Sequence, residues 1–190
     1  MRRSAILSSA ALLLLAATPA AAHPGHGGGF VAGFVHPFTG LDHMLAMIGV
    51  GLWAGLACNR AWLAWPMTFV AFMLAGFAAG LMGGPLPMVE TVIALSVIGL
   101  GLAVTFNVRA PLVVGAVAVA VAGLAHGYAH GQEATDGAFG FPLGFTLATL
   151  ALHAMGLALS WAIQRANARP LARAAGIGVT AAGLAIAWAG

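Results

Sequence analysis

Seven side chains of this 190-residue chain have the types and spacing of a divalent-metal site: His36, Asp42, His43, Glu90, His126, His130 and Glu133. Neutral imidazole is a borderline ligand that suits nickel, copper, zinc and cobalt, while carboxylates supply negative charge and orient the rings from behind. Such a set favours a divalent first-row ion over soft Cu(I), with Met44 and Met47 beside His43 the one feature that would suit copper. His36 and His43 stand seven residues apart, two helical turns, so on a helix they share a face with Asp42 turned about 100° away. His126, His130 and Glu133 are separated by four and then three, again one face. The lone Cys58 excludes an intramolecular disulfide framework and any thiolate-based zinc or iron–sulfur site.

The elements that position these groups must lie in lipid. Hydrophobic residues make up 62% of the chain and charged residues 6%, against about 25% charged in soluble domains. A water-facing surface cannot be built from so few polar groups, and the length leaves no room for a soluble catalytic domain beside a bundle of spans. The expected fold is an all-α polytopic membrane bundle, and no enzyme activity is expected of it. Apolar stretches at Thr39–Ala57, Trp62–Met82, Val89–Phe106, Leu112–Tyr128, Leu143–Ile163 and Leu171–Trp188 give six spans, each near the roughly 17–25 residues needed to cross about 30 Å of hydrocarbon. Pro37 and Gly40 are placed to unwind the first turn of span one and free backbone carbonyls. Gly51 with Gly55 and Gly76 with Gly80 provide small residues four apart for close helix packing.

Residues 1–22 read as a signal peptide: Arg2 and Arg3 form a positive n-region, Ala5 to Ala17 an apolar stretch, and Ala20-Ala21-Ala22 a cleavage site. The six-span domain is then 23–190, starting outside the cytoplasm. Orientation follows from alternation. Arg60, Arg109, Arg165, Arg169 and Arg173 all fall on the cytoplasmic side, in accord with the positive-inside rule. Trp53, Trp62, Trp65 and Trp161 fall near that same boundary, where amphipathic rings are favoured. These assignments imply a bacterial inner-membrane protein with both mature termini in the periplasm. Basicity is no clue to a partner: with seven arginines and no lysine, two of the arginines in the leader, no phosphate-neutralising patch exists and nucleic acid is excluded.

Sorted by side, His36, Asp42, His43, Glu90, His126, His130, Glu133 and Asp136 all lie toward the outer face. An ionisable group at membrane depth is expensive and marks function by default. Glu90 at the start of span three also suits a helix N-terminus, where negative charge is favoured. His153 alone is deep, in the middle of span five, and a hydrogen bond to a neighbouring helix is its ordinary expected role. The terminus His23-Pro24-Gly25-His26 is a weaker collector of metal, because Pro24 lacks an amide hydrogen.

The string His36-Pro37-Phe38-Thr39-Gly40-Leu41-Asp42-His43, together with His126-Gly127-Tyr128-Ala129-His130-Gly131-Gln132-Glu133, resembles the HupE/UreJ family over essentially the whole chain. The first motif is also similar to the H-x4-D-H of a separate nickel/cobalt transporter family, with one residue more between histidine and aspartate. The resemblance implies a nickel permease that works beside hydrogenase or urease, with His36, Asp42, His43, His130 and Glu133 on the ion's route. Ni2+ is then the transported ion, and no tightly bound cofactor is expected. The partners are the divalent ion and the bilayer, with self-association or docking to metalloenzyme maturation proteins compatible with the fold. No G-x-x-x-x-G-K-[ST] phosphate loop is present, so ATP coupling within the chain is not expected. Alternatives of other kinds are a haem-binding subunit, a metal sensor that moves no ion, and a permease for cobalt or another divalent metal.

Overall fold

The computed structural model describes residues 29–57, 60–84, 86–133 and 140–189; the signal-peptide region, the His23/His26 terminus and Asp136 lie outside them. The described residues form helices only: α1 (Phe30–Thr39), α2 (Leu41–Ala57), α3 (Ala61–Leu81), α4 (Val89–Thr105), α5 (Leu112–Glu133), α6 (Gly140–Arg165) and α7 (Arg169–Ala189). Helices α3, α5, α6 and α7 are each long and apolar enough to cross a membrane, α4 is a shorter apolar helix, and α1 with α2 form a pair bent by 84°. Leucine, valine, phenylalanine and methionine side chains cover the outside of the bundle. In lipid that surface is a solvent match rather than an exposed patch.

Glycines set how closely the helices approach. A Cβ on Gly123, Gly127 or Gly131 would collide with the backbone carbonyl of Phe69, Met73 or Phe77 in turn, so α3 and α5 run parallel in backbone contact. Gly51 abuts the His153 carbonyl and Gly55 the Ser160 side chain, which runs α2 parallel to α6. Gly101, Gly176 and Gly183 pack α4 antiparallel to α7. Phe77 stacks on Phe141, Met73 meets Thr149 and Phe69 meets His153, so α3 is antiparallel to α6. These directions agree with the alternation expected of successive crossings. They also explain the small-residue pairs in the sequence, since close backbone contact is what drives helix association in lipid.

Span one departs from expectation. Instead of starting at Thr39, the chain forms the separate helix α1 and then turns sharply at Gly40, whose backbone is extended (φ −95°, ψ 117°). The freed carbonyls do not stay free. The His36 carbonyl accepts from the Thr39 hydroxyl at 2.7 Å and the Gly40 carbonyl from the Met44 amide at 3.0 Å. Ten residues of helix cover only about 15 Å, too little to cross the bilayer, and Gly33 and Gly144 seat α1 against the start of α6.

The tryptophans also divide. Trp62 and Trp161 are exposed and near one another, as boundary residues should be. Trp53 and Trp65 instead turn inward, pack ring on ring, and donate to the Val108 and Leu112 carbonyls at 2.9 Å each. They tie the α4–α5 connection to the core. At that end a cavity of about 500 Å³ is lined by Arg109, Arg169 and Arg173 among others.

Candidate metal centre

The bend at Gly40 turns His36 at the end of α1 back toward His43 at the start of α2. The shared face expected of one continuous helix is therefore replaced by two helices converging at a corner. Between them enters α5. The ring of His130 lies 4.4 Å from that of His36 and 4.3 Å from that of His43, His126 lies 4.9 Å from His43, and His36 lies 6.1 Å from His43. Four imidazoles from three helices thus form one cluster. His43, His126 and His130 are buried, at 7%, 0% and 4% exposure, and His36 is half-buried.

Hydrogen bonds fix which nitrogens face inward. The Asp42 Oδ1 accepts from both the His43 amide at 2.9 Å and the His43 Nδ1 at 2.7 Å. A carboxylate behind one ring nitrogen leaves the other, Nε2, as the lone-pair donor, the arrangement that commonly backs a metal-bound histidine. In His126 the Nδ1 donates to the Ala122 carbonyl at 2.8 Å, and Nε2 has no hydrogen-bond partner among the described residues. A carbonyl can only accept, so this tautomer too presents an Nε2 lone pair. His43 and His130 bring their Nε2 atoms into hydrogen-bonding contact. With His43 Nδ1–H given to Asp42, the proton of that contact belongs to His130 Nε2.

Among the described residues no three histidine, cysteine or acidic side chains are already posed around a common point as ligands. The cluster is closed on itself by the contact between the His43 and His130 Nε2 atoms. Aromatic rings line it on the α6 side, with Phe141 at 5.6 Å from His36 and Phe145 at 4.8 Å from His130. Beneath, Phe69 of α3 lies 5.7 Å from His126. These three phenylalanines were not in the expected set. Phe141 and Phe145, four apart at the start of a span, are the signal that could have found them.

The acids are less closely joined. Asp42 is integral to the cluster. Glu90 sits exposed in the first turn of α4 at the same end of the bundle, and no described hydrogen bond or ion pair links it to the histidines. Glu133 is the last residue of α5, three beyond His130. The segment between α3 and Glu90 is fastened to α5, since the Tyr128 hydroxyl and the Gln132 amide both donate to the Gly84 carbonyl. The second motif therefore alternates duties: His126 and His130 face the cluster while Gly127 and Gly131 seat the helix on α3.

His153 differs from expectation. It is 1% exposed, stands edge-on to Phe69 at 5.2 Å, and neither ring nitrogen has a hydrogen-bond partner among the described residues. It does not make the expected bond between helices.

The corner also yields a prediction. A Cβ at Gly40 would come within 2.9 Å of both Asp42 Oδ1 and His43 Nδ1. Those are side-chain ends that can yield, so Gly40→Ala is expected to fold but to loosen the Asp42–His43 bond, weakening metal affinity roughly tenfold. Titration of the purified variant with Ni2+ beside the wild type measures this.

Comparison with known proteins agrees with these motifs. A family model described as HupE / UreJ protein matches residues 11–186. Protein HupE of Rhizobium leguminosarum bv. viciae is 42% identical over 189 residues, covering 98% of each chain. No solved structure matches.

Proposed function

Because the chain belongs to the HupE/UreJ family, we propose that it is an inner-membrane permease that admits Ni2+ from the periplasm to supply a nickel enzyme such as hydrogenase or urease. The observation that carries the reading is the buried cluster of His36, His43, His126 and His130, with Asp42 and the Ala122 carbonyl orienting two of the rings. Asp42, Glu90 and Glu133 attract the dication and offset its charge. The imidazoles then exchange for its water. Binding stays moderate, since an ion held too tightly cannot leave, and a cluster that must open its His43–His130 contact to admit the ion meets that need. The inside-negative potential contributes about 2.3 kcal/mol per charge per 100 mV, about twice that for a dication, which drives uptake without ATP. All five arginines outside the leader region stand at the opposite end from the histidines, the side the positive-inside rule assigns to the cytoplasm.

The cluster speaks against haem between two helices, because a macrocycle needs space between its axial nitrogens and the Nε2 atoms of His43 and His130 touch. Uptake of radioactive nickel into cells carrying the gene, compared with His36→Ala, Asp42→Ala and Glu133→Ala at equal protein levels, tests the proposal. Loss of uptake in all three is expected, and uptake unchanged in all three would refute it. An excess of Co2+ in the same assay reports how far cobalt shares the route.

Ion binding also competes with protonation of the rings, because only a neutral imidazole offers the ion a lone pair and a protonated one must give up its proton first. Ni2+ affinity therefore rises with pH, and calorimetry in buffers of different ionisation enthalpy counts the protons released.

A further inference from the structure

The outer cluster accounts for every membrane-depth histidine except His153. Burying a polar ring without a partner is unfavourable, and such a group calls for an explanation. Its neighbours do not provide one. Thr149, one turn earlier on α6, donates to the Phe145 carbonyl, and Ser160 donates to the Leu157 carbonyl. The position is nevertheless held firmly, because the His153 carbonyl abuts Gly51 and Gly156 abuts the Ile48 carbonyl, locking α6 against α2 on both sides of the ring.

Its depth relative to the cluster follows from α6. Phe145, Thr149 and His153 recur every four residues on one face, and Phe145 touches both His36 and His130. His153 therefore lies two turns, about 12 Å, further into the membrane than the cluster's aromatic wall. The ring of Phe69 contacts a histidine of each level: His126 above at 5.7 Å and His153 below at 5.2 Å.

We propose that His153 is a second, inner metal-ligating station, which receives the ion from the His126 side past the ring of Phe69. The proposal rests on the permease reading above. A dication leaving the outer cluster for the cytoplasm must cross an apolar interior lined here by Phe69, Met73, Val50 and Leu152. An unpaired imidazole part-way offers a donor without the charge of a carboxylate, so it shortens each step without trapping the ion.

The test uses the full-length protein in two forms. In a Cys58→Ser background, His153→Cys is loaded with Co2+ in detergent and its near-ultraviolet absorbance followed for the thiolate-to-cobalt charge-transfer band. In proteoliposomes, His153→Leu is compared with wild type for equilibrium Ni2+ binding and for Ni2+ uptake, with thermal melting to establish that it folds. The expected results are a thiolate band with His153→Cys, and in His153→Leu retained binding at the outer cluster with uptake reduced at least tenfold. A folded His153→Leu that transports at the wild-type rate, or Co2+ bound by His153→Cys without a thiolate band, overturns the inner station and leaves the permease reading standing. Wild-type protein that neither binds nor transports Ni2+ overturns both.

Discussion

Cells producing His43→Ala at wild-type protein levels are expected to take up nickel no faster than cells without the gene, a loss of at least roughly 100-fold, beyond the 10–100-fold usual for removal of an orienting group alone. His43 is the hub of the site: its ring touches those of His36, His126 and His130, and Asp42 grips it through amide and Nδ1 together. Alanine removes the ligand, breaks the contact with His130 and strands the Asp42 carboxylate. Asp42→Asn should do less. The amide retains the shape but can offer Nδ1 its nitrogen in place of an acceptor oxygen, and it removes a negative charge beside the ion; uptake about 10–100-fold below wild type is expected. Short-time uptake of radioactive nickel, normalised to membrane protein, ranks the two variants, and a rank with Asp42→Asn worse than His43→Ala would count against His43 as the hub.

The largest loss of stability is expected from Gly127→Val. Any Cβ there overlaps the backbone carbonyl of Met73, and a carbonyl inside a helix cannot step aside as a side-chain tip can. Helices α3 and α5 must separate along the whole interface shared by Gly123, Gly127 and Gly131. Overpacking of this kind usually costs about 1–3 kcal/mol and more where the backbone must move. Because His126 and His130 ride on the same turns of α5, metal binding should fail with the packing. Gly99→Ala is the matched control: a Cβ at Gly99 meets nothing within 4 Å. Thermal melting in detergent should show Gly127→Val poorly folded and Gly99→Ala at least as stable as wild type, since alanine is the better helix former by about 1 kcal/mol.

Much of this architecture was legible in the sequence because lipid imposes simple requirements. Apolar stretches long enough to cross had to be helices, and scarce ionisable residues had to cluster. The histidines of α5 were placed on one face by their spacing of four, and they do converge on His43. The route by which His36 joins them was not legible as drawn. Continuous helical numbering joined His36 to His43 through Gly40, whereas an extended Gly40 after Pro37 makes a corner, and hydropathy alone does not see a change of direction within an apolar run. The role of Asp42 depended on a side-chain torsion that turns its carboxylate onto the neighbouring ring, which spacing on a helical wheel cannot give. Trp53 and Trp65 shared the depth of Trp62 and Trp161 but not their surroundings, because depth follows from chain position while facing follows from packing. His153 was visible as a deep histidine. Its lack of a partner among the described residues lies beyond what spacing can show, because it depends on where the Thr149 hydroxyl (to the Phe145 carbonyl and Met73 Sδ) and the Ser160 hydroxyl (to the Leu157 carbonyl) are bonded.

In the proposed permease the histidine cluster is the way in for a divalent metal. Purified protein in proteoliposomes, with external radioactive Ni2+ and a potassium-diffusion potential negative inside, tests it most directly when wild type is set beside His130→Ala of equal incorporation and orientation. The expected result is uptake that grows with the imposed potential in wild type and falls to the protein-free leak in His130→Ala. Equal uptake by both would show that the ion does not pass through the cluster, and binding by wild type without any potential-driven accumulation would show that the cluster holds metal without carrying it.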